Sequence, residues 1–205
     1  VSFTVQDTSG ATDTTTAIVN ITAVNDPPVF SGTLPDISFL EDSSYSVPVS
    51  DWYGLIGDVD DADNTLDWTF DGNMYVSVSQ DNGVVTFTPD PDWYGDETLT
   101  VIVSDGFLSD STELLISVIN VNDAPVLSDI PDIEFPEDSV YTLELDNLVS
   151  DVDDELSNLV WGVESGSSDL DVSISTESHV ATFTPAQDFY DTSISVSFTV
   201  QDTSG

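Results

Sequence analysis

The chain has 205 residues, among them 40 Asp or Glu and no Lys or Arg, for a formal net charge of −40. That balance excludes nucleic acid and anionic membrane surfaces as partners, because both are bound through basic side chains, and no apolar run approaches the ~18 residues of a helical membrane span, so no membrane insertion is expected. Disorder is excluded too, since hydrophobic residues make up 39% and aromatic residues 10% of the chain, in alternating runs able to form a core; the folded state must therefore relieve its self-repulsion with bound cations or high salt.

In chain order, the first feature is a repeat. VSFTVQDTSG (1–10) recurs as residues 196–205, and a period of that length holds two small domains, not one solenoid unit. The half-period shows at two linkers, AVNDPPV (23–29) and NVNDAPV (120–126), which place Asn25 and Asn122 97 residues apart. Everything between keeps step. LPDISFLEDSSYSV (34–47) answers to IPDIEFPEDSVYTL (130–143), DVDDADNTLDWTF (58–70) to DVDDELSNLVWGV (151–163), and VVTFTPDPDWYGDETLTVIVSD (84–105) to VATFTPAQDFYDTSISVSFTVQD (180–202). The chain thus reads as three pieces: residues 1–24, the C-terminal strands of a truncated preceding module; 25–121, a complete module; and 122–205, a module lacking its last strand or strands. The absence of Cys means that no disulfide supports a module, which at this size none requires.

Period-2 alternation predicts strands throughout. Leu66, Trp68 and Phe70 share one face of LDWTF, and Leu99, Val101 and Val103 one face of TLTVIVSD (98–105). Turn signals at DNG (81–83) and SDG (104–106) separate short runs rich in Val, Ile, Thr and aromatics, the pattern of an antiparallel sandwich. No window reads as a helix. The predicted fold is all-β: tandem seven-strand antiparallel Greek-key sandwiches arranged head to tail. Trp68 and Trp161 fall at equivalent core positions, and His179 aligns with Gly83 at a hairpin tip. Trp52, Tyr53 and Gly54 lie in a segment three residues longer than its counterpart, and that loop is the candidate for sugar or partner contact.

Many of the acids cluster where strands end. DVDD stands at the same offset in both halves, and Asp105 and Asp202 each close a strand. Carboxylates brought together repel and raise one another's pKa unless a cation joins them. A hard divalent ion taking six to eight oxygens suits such a cluster, and Ca²⁺ tolerates irregular geometry better than Mg²⁺. The spacing is not that of an EF-hand: in DVDDADNTLDWT, Asp63 stands where the turn Gly is required and Thr69 where the bidentate Glu is required. Carboxylate pairs that recur at one offset in both modules suit a structural joint, not the acid and base of a glycosidase, and the chain is read as a non-enzyme.

NVNDAPV resembles the D-x-N-D-N-x-P linker of cadherins, and the whole module resembles the bacterial cadherin-like, Ig-like repeats of very large surface adhesins. The resemblance implies a calcium cluster built from the base of one module, the linker and the top of the next. Matched motif by motif, it implies Glu41 and Glu137 as the acidic residue near each module's start, and Asp90, Asp92 and Asp188 in the segment that follows the TP dipeptide. It further implies Asp58 with Asp60, and Asp151 with Asp153, as the D-x-D pair, and Asp105 and Asp202, with Asp7 as the overlap copy, as the X-D-X aspartate. The middle junction then unites Glu41, Asp90, Asp92, Asn122, Asp123, Asp151, Asp153 and Asp202; the first linker, Asn25 and Asp26, keeps Asp58, Asp60 and Asp105. This sequence departs from the family linker at Ala23 and Asn120, where an Asp is usual, and at Pro27 and Ala124, where an Asn is usual, which implies a reduced set of ions.

The function expected from these readings is an extracellular, calcium-stiffened spacer or fibre segment of a giant surface adhesin or matrix filament. Its partners would be neighbouring repeats or head-to-tail copies, with other cells or matrix glycans reached through distal domains. A calcium-dependent glycan- or protein-binding module is the alternative. Residues 1–24 are expected either to pack on a preceding copy of the module or to complete the tail of another chain.

Overall fold

A computed structural model describes residues 1–190 and 193–204. The chain forms two compact units, one of Val1–Phe39, Ser43–Asp90 and Gly95–Val118, the other of Leu40–Asp42, Pro91–Tyr94 and Ile119 onward.

The first unit begins with a hairpin of β1 (Ser2–Gln6) and β2 (Thr12–Thr16), in register from Ser2 opposite Thr16 to Gln6 opposite Thr12 and exposed at every residue. Then come β3 (Val29–Phe30), β4 (Ile37–Leu40), β5 (Tyr45–Pro48), a 3₁₀ turn (Val49–Leu55), β6 (Ile56–Gly57), a second 3₁₀ turn (Asp63–Thr65), β7 (Asp67–Asp71), β8 (Val76–Asp81), β9 (Val84–Pro89), β10 (Gly95–Ser104) and β11 (Ser109–Ile119). Seven of these make a sandwich: one sheet has the order β4-β11-β10-β7 and the other β5-β9-β8, while β3 and β6 form a short pair. The alternation sets what is buried, because successive side chains of a strand point to opposite faces. Leu99, Val101 and Val103 of β10 and Leu114 and Ile116 of β11 are fully buried from one sheet, as are Val76, Val85 and Phe87 from the other. Each contributes roughly 1.5–3 kcal/mol of transfer free energy. β8 turns into β9 through Asn82 (φ 50) and Gly83 (φ 76), the two left-handed residues that a tight hairpin with right-handed twist requires.

The second unit repeats the plan with β12 (Val126–Leu127), β13 (Tyr141–Glu144), a 3₁₀ turn (Leu145–Leu148), β14 (Val149–Ser150), another 3₁₀ turn (Leu156–Asn158), β15 (Val160–Ser165), β16 (Leu170–Ile174), β17 (Val180–Pro185) and β18 (Val196–Gln201). Its three-stranded sheet, β13-β17-β16, matches β5-β9-β8, but the facing sheet is only β15-β18. Among the described residues there is no strand equivalent to β4 or β11. Leu145, Leu170, Ala181 and Phe183 form its core, with Phe135, Tyr141, Trp161 and Phe198 half-buried around them. Gly162 of β15 lies opposite Thr199 of β18, where a Cβ would meet the Thr199 Oγ1 at 2.5 Å, so the close approach needs glycine.

The all-β expectation holds, and the helical residues described are 3₁₀ turns. His179 sits at a hairpin tip (φ 48), but it is buried, with Nδ1 2.7 Å from Asp146 Oδ1. The expected contact loop is corrected at Trp52, while Tyr53 is half-buried and Gly54 exposed. Its additional residues lengthen the 3₁₀ turn from the four of Leu145–Leu148 to the seven of Val49–Leu55, which carries Trp52 inward to 3% exposure. There its ring centroid lies 5.6 Å from Trp68 and 6.3 Å from Phe70. Trp52→Ala should cost the first unit about 3–5 kcal/mol in chemical unfolding; a loss within ~0.5 kcal/mol, as at an exposed site, would return Trp52 to the surface.

Candidate metal centres

With no Lys or Arg in the chain, each carboxylate here is positioned by backbone N–H groups and amide side chains. In the first unit the DVDD segment folds back on itself: Asp58 Oδ1 accepts from the N–H groups of Asp60 (2.8 Å) and Asp61 (3.0 Å). Asp60 Oδ2 in turn accepts from the N–H of Asp26 (2.9 Å), which pins the linker. Asn25 Nδ2 donates to Asp105 Oδ2 (2.8 Å), and Asp105 Oδ1 accepts from the N–H groups of Phe107 and Leu108 at 2.6 and 2.7 Å. Those bonds, the Leu108 N–H first and the Asn25 amide next, hold the Asp105 carboxyl below its ordinary pKa. The result is convergence: Asp58, Asp61 and Asp105 each place an oxygen within 4.8 Å of the others.

The second unit repeats the arrangement almost bond for bond. Asp151 Oδ1 accepts from Asp153 N–H (2.9 Å) and Asp154 N–H (2.8 Å), Asp153 Oδ2 accepts from Asp123 N–H (2.7 Å), and Asn122 Nδ2 donates to Asp202 Oδ2 (2.7 Å). Asp151, Asp154 and Asp202 converge within the same 4.8 Å. Asn120, standing where the cadherin pattern has Asp, donates its amide to Asp153 Oδ1 at 2.6 Å. Glu41, 3% exposed, belongs to this unit: its Oε1 accepts from Val121 N–H at 2.6 Å, and its own N–H donates to Ile119 O at 3.0 Å.

The oxygens left over are diagnostic. Asp58 Oδ2, Asp151 Oδ2, Asp123 Oδ2 and Glu41 Oε2 are shielded from solvent and have no hydrogen-bond partner. An unpartnered buried carboxylate oxygen is costly unless a cation supplies what water no longer does. Around Asp123 the strain is visible as charge: burial first, then Asp42, Asp92, Asp153 and Asp151, push its carboxyl above the ordinary range. These donors are all oxygens, the chemistry that Ca²⁺ accepts.

The structure separates the expected ligands. Asn25, Asp26, Asp58, Asp60 and Asp105 come together, as do Asn122, Asp123, Asp151, Asp153 and Asp202, with Asp92 acting on Asp123. Asp60 and Asp153 hold linker amides, so the third carboxylate of each triad is Asp61 or Asp154, which the D-x-D match passed over. The signal was present in the fourth letter of DVDD, identical in both halves. Asp42 was missed as well, beside Glu41. Asp90 lies in the first unit, its N–H bonded to Tyr75 O. Asp7 caps its own turn through Ala11 and Ser9 N–H groups, which lower its pKa. Glu137 is exposed, and Asp188 is tied through its N–H to Asp138 Oδ1 at 3.1 Å.

Fold and sites together define a tandem β-sandwich repeat with acidic ends. The chain belongs to the bacterial Ig domain family, whose model matches residues 25–117 and again 122–205. No curated protein sequence matches it. Among solved structures, PcdhgB3 EC1-4 is similar at 10% identity and a TM-score of 0.51, over 98% of this chain and 60% of that one. Human Protocadherin-24 EC1-2 is similar at 19% identity and a TM-score of 0.46, over 87% of this chain and 93% of that one. An endo-fucoidan hydrolase from glycoside hydrolase family 107 gives 19% identity and a TM-score of 0.39, over 98% of this chain and 34% of that one. The chain therefore spans about a third of that hydrolase. The resemblance to cadherin-like and Ig-like repeats read from the linkers is borne out at the level of fold.

A group whose folded pKa is raised favours the fold while protonated and loses that contribution as pH climbs through the folded pKa. Ionised Asp123 therefore weakens the metal-free second unit at neutral pH. In chelator at pH 7, Asp123→Asn should melt at a higher temperature than the parent, and the gap should close in acid, where the parent carboxyl is protonated. A variant that melts lower at pH 7 in chelator would contradict the assignment.

Proposed function

We propose that the chain is a calcium-binding, non-catalytic spacer segment of an extracellular surface adhesin or filament. Calcium ties each linker to the sandwich that follows it. The observation that carries this reading is the duplicated triad, Asp58, Asp61 and Asp105 in one unit and Asp151, Asp154 and Asp202 in the other, each with a buried carboxylate oxygen lacking a partner. In the second unit Glu41 Oε2 and Asp123 Oδ2 supply two more such oxygens. An ion there would neutralise charge that this chain has no basic side chain to neutralise, and it would hold carboxylates already bonded to the linker through Asp60 and Asp153. A chain segment whose acidic motifs recur at one offset in both repeats, whose acids serve junctions and whose aromatic cluster is internal supplies length and stiffness. The domain division at residues 24/25 and 121/122 belongs to this proposal, and so does the extracellular setting, where free calcium is abundant enough to fill sites of modest affinity.

Native mass spectrometry of the calcium-loaded chain, paired with limited proteolysis of residues 119–125, tests the proposal. Asp58→Asn with Asp61→Asn should remove the first unit's calcium only, and Asp151→Asn with Asp154→Asn the second unit's only. Cleavage within 119–125 should speed up at least tenfold in chelator and in the second double variant. A chain that retains no calcium, or whose linker is cut equally with and without it, would overturn the reading.

A further inference from the structure

The two acidic sites share their aspartates but not the groups that stand behind them. Asn120, Thr203 and Ser204 of the second unit occupy the positions of Ala23, Gly106 and Phe107 in the first, so polar side chains replace three that have no polar atom to offer. All three are bonded. Thr203 Oγ1 lies 3.2 Å from Asp154 Oδ1 and 3.1 Å from Asp154 Oδ2, and the Thr203 N–H donates to that same Oδ2 at 3.4 Å. Asn120 Nδ2 donates to Asp153 Oδ1 at 2.6 Å. Ser204 Oγ donates to Asn122 Oδ1 at 2.8 Å, and the Ser204 N–H to Asp202 Oδ1 at 2.8 Å.

Asp154 is the member of its triad with the fewest supports. Asp151 is held by two N–H groups of its own turn, and Asp202 by Asn122 and Ser204. Among the described residues Asp154 accepts from Thr203 alone, but that one residue spans both oxygens and so fixes the plane of the carboxylate as well as its place. The first unit cannot copy this contact for Asp61. Gly106 stands at φ 94, a conformation foreign to a β-branched residue, and Thr203 does not share it. Asn120 acts one step further back. With Oδ1 on the Asn120 amide and Oδ2 on the Asp123 N–H, both oxygens of Asp153 are committed to the linker. Asp123 is thereby held where its own Oδ2 is shielded and unpartnered.

We propose that Thr203 and Asn120 are positioning residues of the second unit's calcium site, an inference that rests on the calcium reading given above. Thr203 presets the Asp154 carboxylate, and Asn120 presets Asp123 through Asp153. Neither is itself a ligand. Each removes rotamer freedom that an ion would otherwise have to freeze on binding, and a preset group lowers that ordering cost. Groups that orient metal ligands in this way change affinity by about 10–100-fold when they are removed. The aspartates supply the charge in both units; in the second, a hydroxyl and an amide set where that charge points.

Calorimetric titration with calcium of the 205-residue chain carrying Asp58→Asn and Asp61→Asn, which silence the first unit's site, reads the second site alone. On that background Thr203→Val, which keeps the shape and loses the hydroxyl, should weaken binding about tenfold or more, and Thr203→Ser should keep the parent affinity. Asn120→Ala, which installs the first linker's own residue, should weaken binding as well. A second readout needs no ion. In chelator, hydrogen exchange at the Asp123 N–H should speed up in Asn120→Ala and hold the parent rate in Thr203→Val, while both variants melt close to the parent. Variants that bind calcium like the parent would overturn this inference and leave the calcium reading standing; a background chain that binds no calcium would overturn both. Melting temperatures that fall in chelator along with the affinity would make the two residues merely structural and overturn it too. A Thr203→Ser chain as weak as Thr203→Val would remove the hydroxyl's part, and unchanged exchange at Asp123 in Asn120→Ala the amide's.

Discussion

A chain with no lysine or arginine can hold an aspartate only with N–H groups, hydroxyls, amides, its single histidine or a bound cation, and the architecture of both acidic sites follows from that constraint. Each DVDD segment satisfies one oxygen of its first aspartate with two backbone N–H groups of its own turn. The second oxygen is buried without a partner. A basic side chain could have filled that place in an ordinary protein. Here the arrangement leaves room for an ion, whose two charges offset several carboxylates at once.

The same constraint explains why the linkers behave as part of the sandwich that follows them. Asn25 reaches Asp105, and Asn122 reaches Asp202, each across 80 residues of sequence. In both units the next linker residue gives its N–H to the second aspartate of the D-x-D pair. The amide and the backbone donate where a carboxylate must be held, so each linker is bonded at two points to the carboxylates that an ion would share. Asp105 and Asp123 show the two sides of this economy. The first is surrounded by donors and its pKa falls; the second meets burial and four like charges, and its pKa rises.

Much of this was legible in the sequence, because the chain is written almost twice. Period-2 runs such as residues 98–105 have one pleated solution, and their buried face is the one the alternation selects. The paired positions of DVDD and of Asp105 and Asp202 pointed to the candidate clusters without any knowledge of contacts. What the sequence concealed was three-dimensional choice. Whether Asp60 or Asp61 joins the triad depends on which way a tight turn points each side chain, and the D-x-D pattern is silent on that. Trp52 looked like a loop residue because its segment is longer than its counterpart, but the added length winds a longer 3₁₀ turn and places the indole against Trp68. Glu41 and Glu137 look alike as letters, but Glu41 is buried with its Oε1 on the Val121 N–H, whereas Glu137 is exposed.

On the reading proposed above, cations at defined oxygens, and not ionic strength alone, stabilise this fold. Scanning calorimetry of the 205-residue chain at constant ionic strength, with calcium exchanged stepwise for sodium, tests it directly. Binding to the folded state alone raises stability as RT ln(1 + [L]/Kd), so the melting temperature should climb steadily with the logarithm of calcium concentration above the site affinity. A melting temperature that follows ionic strength and ignores calcium would contradict the account.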